Sequence, residues 1–115
     1  MSGLGGRNMT SAKDCGLLLE RIYKGECVSE EASKAMLNLL LNQEVKWKIP
    51  TGLPVGIESG NKTGETDEDQ HDIAIVYGEK TNYILCVMSE KCPNENTAIN
   101  NIRDISRVVY NYLNL

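Results

Sequence analysis

The residues best placed to do chemistry lie in the run Ser59-Gly60-Asn61-Lys62-Thr63-Gly64-Glu65. Lys62 and Thr63 set an ammonium and a hydroxyl on neighbouring positions, and Gly64 removes a side chain from beside them. Another molecule can then lie against the backbone, with the N–H of Glu65 pointing at whatever occupies the cleft. Such an arrangement holds an anion and polarises a carbonyl. A Lys-Thr-Gly string standing alone reads equally well as a strand ending in a glycine turn. Ser59 and Lys62 also have the spacing of a serine nucleophile and its lysine base. That pairing is rejected, because in a strand residues i and i+3 point to opposite faces. A helix is disfavoured by Gly60 and Gly64.

The rest of the reactive inventory is thin. His71 is the only histidine, so a Ser-His-Asp or Cys-His scheme would have to run on it alone. Four cysteines, Cys15, Cys27, Cys86 and Cys92, form no Cys-x-x-Cys pair, which leaves little support for a metal centre. Cys15 and Cys86 fall on apolar patterns and are expected as buried thiols. No metal and no cofactor is expected.

These residues need elements to hold them. Ser11 followed by Asp14 resembles a capping box, and Cys15, Leu18, Leu19 and Ile22 then recur as one helical stripe ending at Gly25. Ser29 caps a second helix, with Glu30 and Glu31 near the positive end of its dipole and Ala32, Met36, Leu39 and Leu40 as its stripe. Residues 43–56 contain Pro50, Gly52, Pro54 and Gly56 and read as loop, pinned by Trp47 and Leu53. From Ile57 the period changes. Strands are expected over 57–65, 73–77 and 83–88, the last two joined by a hairpin at Gly78-Glu79-Lys80. Ala98, Ile102, Ile105, Val109 and Tyr112 mark a long C-terminal helix. The fold class is α+β: a three-stranded antiparallel sheet with two N-terminal helices and a C-terminal helix packed on it. Residues 1–9 are expected as a loop or frayed end, and residues 10–115 as a single unit. Continuous apolar runs in two strands ask for cover on both faces, and an uncovered edge is expected to pair with a second copy or with another segment.

Composition excludes several functions. The 115 residues carry a net charge of −4, with no cluster of lysines and arginines that could track phosphates, so nucleic acid is not an expected partner. No run approaches the ~20 apolar residues of a bilayer span. The first residues, Met1-Ser2-Gly3-Leu4-Gly5-Gly6-Arg7, lack the apolar core of a signal peptide.

The order of elements and several strings resemble the C-terminal portion of the class A serine β-lactamase and penicillin-binding protein family. Asn8-Met9-Thr10-Ser11-Ala12-Lys13-Asp14 resembles the turn opening the helix after that family's omega loop, and Ser33-Lys34-Ala35-Met36-Leu37 the next helix. Asn61-Lys62-Thr63-Gly64-Glu65 is similar to its third motif, and His71-Asp72-Ile73-Ala74-Ile75-Val76 to the following strand. The resemblance implies substrate-binding roles for Lys62, Thr63, Gly64, Glu65 and His71. Lys62 would supply positive potential, and Thr63 would bond the carboxylate of a β-lactam or D-Ala-D-Ala-type ligand. The Glu65 N–H would be one oxyanion donor. His71 stands near where many members carry a carboxylate-fixing arginine. The family's helical Ser-x-x-Lys nucleophile, its Ser-Asp-Asn motif and its omega-loop glutamate have no counterpart here. The implied protein is a bacterial hydrolase conferring antibiotic resistance, or a D,D-peptidase, working outside the cytoplasm, of which this chain is a truncated fragment inactive alone. The other reading is a non-catalytic module that binds itself as a homodimer, or binds a complementary N-terminal half.

Overall fold

The computed structural model describes residues 10–66 and 68–115. The readings on residues 1–9, the Asn8-Met9 part of the resemblance included, lie outside the described residues. The Ser11 hydroxyl accepts from the Asp14 N–H at 3.1 Å and opens α1, Ala12–Tyr23. Ser29 does the same for the Ala32 N–H at 3.0 Å and opens α2, Glu30–Leu41. These side-chain oxygens satisfy backbone donors that the helix leaves free. Gly25, at φ 75°, takes the left-handed turn that ends α1.

The strands are β1, Glu58–Glu65, β2, Gln70–Tyr77, and β3, Asn82–Ser89, paired antiparallel in the order β1-β2-β3. Thr63 pairs with Asp72, Gly64 with His71 and Glu65 with Gln70. Both outer strands are edges, and every residue of β3 from Tyr83 to Ser89 is only half-buried. The last helix, α3, Glu95–Leu113, is capped by Asn94.

The sheet is covered on both sides. Helices α1 and α2 lie on one face, where Leu19, Ile22 and Ile75 form a core with Met36, Leu37, Leu40, Ile73, Ile84 and Cys86 around it. Helix α3 and a short 3-10 turn, Ile49–Gly52, cover the other, around Ile49, Leu53, Ala74, Val76, Ile102 and Tyr110. Three stripes differ from the sequence reading. On α1 the residue at fault is Leu18, which is exposed. On α3 the inward row is Ala98, Ile99, Ile102, Ser106 and Tyr110, while Ile105 and Tyr112 are exposed. On α2 Leu39 faces out. All four cysteines are free and half-buried.

The segment 43–56 is more ordered than its prolines and glycines suggest. Leu53 is a buried pin, as expected, but Trp47 is exposed and Ile49 takes the second pinning role at 0% exposure. The Ser106 hydroxyl donates to the Ile49 carbonyl at 2.7 Å. A β-carbon on Gly52 would sit 2.8 Å from Ser106 Cβ, so helix and turn approach as closely as they do only over a glycine.

Candidate functional site

Strand alternation divides the motif between two faces. Ser59, Asn61, Thr63 and Glu65 share the α3 side. Gly60, Lys62 and Gly64 share the side of α1 and α2, where an added β-carbon on Gly60 would touch Leu40. Ser59 is buried and Lys62 exposed, on opposite faces, so they cannot act as nucleophile and base. Lys62 stands at the open edge of β1 and donates to the Thr63 carbonyl at 2.9 Å. Thr63 is 8% exposed.

His71, paired with Gly64, puts its ring on the Lys62 side, and its buried Nδ1 has no partner among the described residues. It therefore does not look onto the face that carries Thr63. Besides Asp72, opposite Thr63, the residue of β2 that does so at this end is Gln70, opposite Glu65. It is 3% exposed, and its Oε1 has no partner among the described residues.

The cation on the Thr63 face is one the sequence reading missed. Lys48, which precedes the 3-10 turn, is completely buried. Its Nζ donates to the Glu65 carboxylate at 2.9 Å, the His71 carbonyl at 3.1 Å and the Gly64 carbonyl at 3.4 Å. It also lies 5.0 Å from the centre of the Trp47 ring. A buried ammonium persists only when its donors are matched in this way. The signal available in sequence was slight, a lysine beside a tryptophan in a Pro-Gly loop.

Asp72 holds that loop in place. One carboxylate oxygen accepts from the Ile49 N–H at 2.8 Å, the other from Asn61 Nδ2 at 3.2 Å. Asn61 Nδ2 also reaches the Val45 carbonyl at 2.9 Å, and Lys46 Nζ donates to Asn61 Oδ1 and to the Ser59 carbonyl, both at 2.9 Å. Burial raises the Asp72 carboxyl to about 6 against the Ile49 and Asn61 hydrogen bonds and the nearby Lys48 and Lys46. The same desolvation lowers Lys46, opposed by Asp72 and Glu58. Among the described residues no group of three or more His, Cys, Asp or Glu is disposed to hold a metal ion.

A three-stranded antiparallel sheet with a helix pair on one face and a terminal helix on the other is a β-lactamase-like fold. A family model described as the β-lactamase enzyme family matches residues 2–113, and the chain belongs to that family. Among solved structures, that of PBP-A superposes with a TM-score of 0.86 at 26% identity, covering 96% of this chain and 42% of that one. The β-lactamase from Sphaerobacter thermophilus DSM 20745 gives 0.84 at 25% identity, covering 91% and 41%. TLA-3 extended-spectrum β-lactamase shares the fold, with a TM-score of 0.85 at 21% identity over 100% and 46%. The chain thus spans less than half the length of each of these relatives. No curated protein sequence matches it.

Proposed function

We propose that this chain forms one wall of a groove that recognises β-lactams or D-alanyl peptides, and that it binds such ligands without turning them over. The carrying observation is that Lys62, Thr63 and Glu65 lie at the open edge of β1, with the buried cation Lys48 behind the Thr63 face. Within this reading Thr63 meets the ligand carboxylate, with Lys48, held by Glu65, behind it. The Glu65 N–H donates to the oxygen on which charge develops, and Lys62 lends positive charge to whatever stands opposite. Acyl transfer also needs a nucleophile with a base, and among the described residues the one Ser-x-x-Lys pair, Ser59 and Lys62, does not supply them. Loss of one oxyanion donor alone slows such reactions about 10²–10³-fold, and the nucleophile matters at least as much. A PBP-A variant is known as an acyl-enzyme with penicillin G, which makes a β-lactam the natural probe. The parent activity in this reading is β-lactam hydrolysis or D,D-peptidase chemistry outside the cytoplasm. The test is incubation with a chromogenic cephalosporin and a fluorescent penicillin, with the Thr63 and Glu65 amides followed by NMR. The expected result is reversible shifts at those amides, with neither colour change nor labelled protein. Turnover or a stable adduct would show that a nucleophile has been overlooked, and unmoved amides would remove the groove.

A second, compatible role follows from surfaces remote from Lys62. β3 is a mainly apolar edge strand that is half-buried from Tyr83 to Ser89, and on α3 the exposed Ile105, Val108 and Tyr112 form an outward row. Exposed rows and free edges of this kind are covered in stable proteins. The reading is that a complementary N-terminal half, or a second copy of the chain, covers them. Sedimentation equilibrium of the chain alone decides the self-association part, since a monomer at all concentrations leaves only the complementary half.

A further inference from the structure

All three acceptors around Lys48 Nζ lie within 3.4 Å, and the side chain is completely buried, so its donors are already used. A ligand carboxylate can reach this cation only by replacing one of the three. Two of them, the carbonyls of Gly64 and His71, belong to residues paired across β1 and β2 and are fixed by the sheet. The third is the carboxylate of Glu65, whose side chain is 46% exposed. Glu65 is therefore the exchangeable partner, and it presents to Lys48 the same group that a carboxylate ligand would bring. Opposite it in register, Gln70 is 3% exposed and keeps Oε1 without a partner among the described residues. An unpartnered buried acceptor favours an incoming N–H or O–H donor and disfavours another anion.

We infer that Glu65 is the residue that sets the charge preference of this site. As a resident carboxylate on Lys48, it cancels the attraction for an anionic ligand end and leaves the groove open to ligands ending in a neutral carboxamide. The inference rests on the reading of β1 as a ligand-binding edge, and it adds to that reading which ligands are admitted. Like charges at close range repel, so one resident carboxylate suffices to cancel the preference for an anionic end.

The test uses two probes that differ only at the end concerned, N-acetyl-D-alanyl-D-alanine and its C-terminal amide. Each is titrated into the 115-residue chain and followed at the Thr63 and Glu65 amides. Glu65→Gln keeps an acceptor for Lys48 and sits at a half-exposed position, so the fold is retained. The unaltered chain is expected to bind acid and amide within about twofold of each other. Glu65→Gln should tighten the acid by about tenfold relative to the amide, the scale of one charge-assisted hydrogen bond. Adding Lys48→Met to Glu65→Gln should abolish that gain. An unaltered chain that already prefers the acid by about tenfold, or a Glu65→Gln chain with unchanged acid affinity, overturns the assignment and spares the groove. A gain that survives Lys48→Met places the anion elsewhere and overturns it too. Silence of both amides with both probes in both proteins removes the groove reading, and the assignment falls with it.

Discussion

The two faces of the three-stranded sheet are packed by opposite means. Under α1 and α2 the contacts are apolar, with Leu19, Ile22 and Ile75 at the centre. Under the 3-10 turn and α3, an apolar cluster around Ile49 and Ile102 is continued by buried polar groups: Lys48, Ser59, Asn61, Thr63, Gln70, Asp72 and Ser106. Apolar contact is non-directional and tolerates small shifts, whereas hydrogen bonds fix distance and angle. The first face holds the sheet together. The second fixes the position of one loop, residues 45–53, and with it the cation behind Thr63. A polar interior is costly unless its groups are matched, and Lys48, Asn61, Asp72 and Ser106 each have partners, whereas Gln70 Oε1 has none among the described residues.

The largest expected effect breaks the apolar face. Ile75 is 1% exposed at the centre of β2. Ile75→Ala should lower the unfolding free energy by about 4 kcal/mol, from lost burial and the cavity left behind. Urea unfolding followed by circular dichroism measures it. A loss below about 1 kcal/mol would mean that the α1–α2 face is not where the stability resides.

The next sharpens the polar face through pH. Asp72 has a carboxyl raised from 3.8 to about 6 by burial. Between those values the folded chain holds a proton that the unfolded chain has released. Stability from this group is therefore fully present below 3.8 and is lost as pH rises through about 6, by about 3 kcal/mol in total. The direction is opposite to that of a carboxylate held by a surface cation. The quantity to compare is the slope of the unfolding free energy against pH for the unaltered chain and for Asp72→Asn. The substituted chain should lack the decline. Parallel slopes would mean that Lys46 and Lys48 keep Asp72 ionised throughout.

How much of this could be read from sequence follows the same division. Helix caps at Ser11 and Ser29 and the existence and order of the three strands depend on local pattern and follow it, although β2 begins at Gln70 and not at Ile73. The apolar face was legible for the same reason. Helix α3 shows the limit. A row chosen for apolar character runs through Ile105 and Tyr112, while the true inward row passes through Ser106, whose hydroxyl is bonded to Ile49 O. A polar residue in a buried row is invisible to periodicity until its partner is known. Lys48 and Gln70 are hidden likewise. Lys48 lies 16 residues from Gly64 and 23 from His71, whose carbonyls hold it, and nothing local marks it as buried. Gln70 lies beyond the start expected for β2 at Ile73, so strand alternation was never extended to it, and His71 was chosen for its chemistry when the register gives the place to its neighbour.

The smallest expected effect is at the outer side of α3, where Arg107 and Asp104 form an ion pair at 2.6 Å with side chains 57% and 60% exposed. Lys48 and Glu65 make a pair of similar length, but Lys48 is wholly buried and that pair is bound to the site. Exposed pairs one helical turn apart contribute about 0.5 kcal/mol or less, because water screens them and both side chains lose freedom. Asp104→Asn should therefore change the unfolding free energy of the isolated chain by no more than about 0.5 kcal/mol, at any protein concentration. The same row of turns carries Ile105 and Val108, which are 42% and 63% exposed. A second copy or a complementary half seated there would remove water from the pair. The substitution would then cost more, and its cost would rise with the concentration of whatever covers the helix. Measuring Asp104→Asn at two concentrations that differ widely thus asks whether the outer side of α3 is solvent or interface. A cost that stays small and constant assigns it to solvent, and the apolar row beside it then needs no partner to explain the stability of the fold.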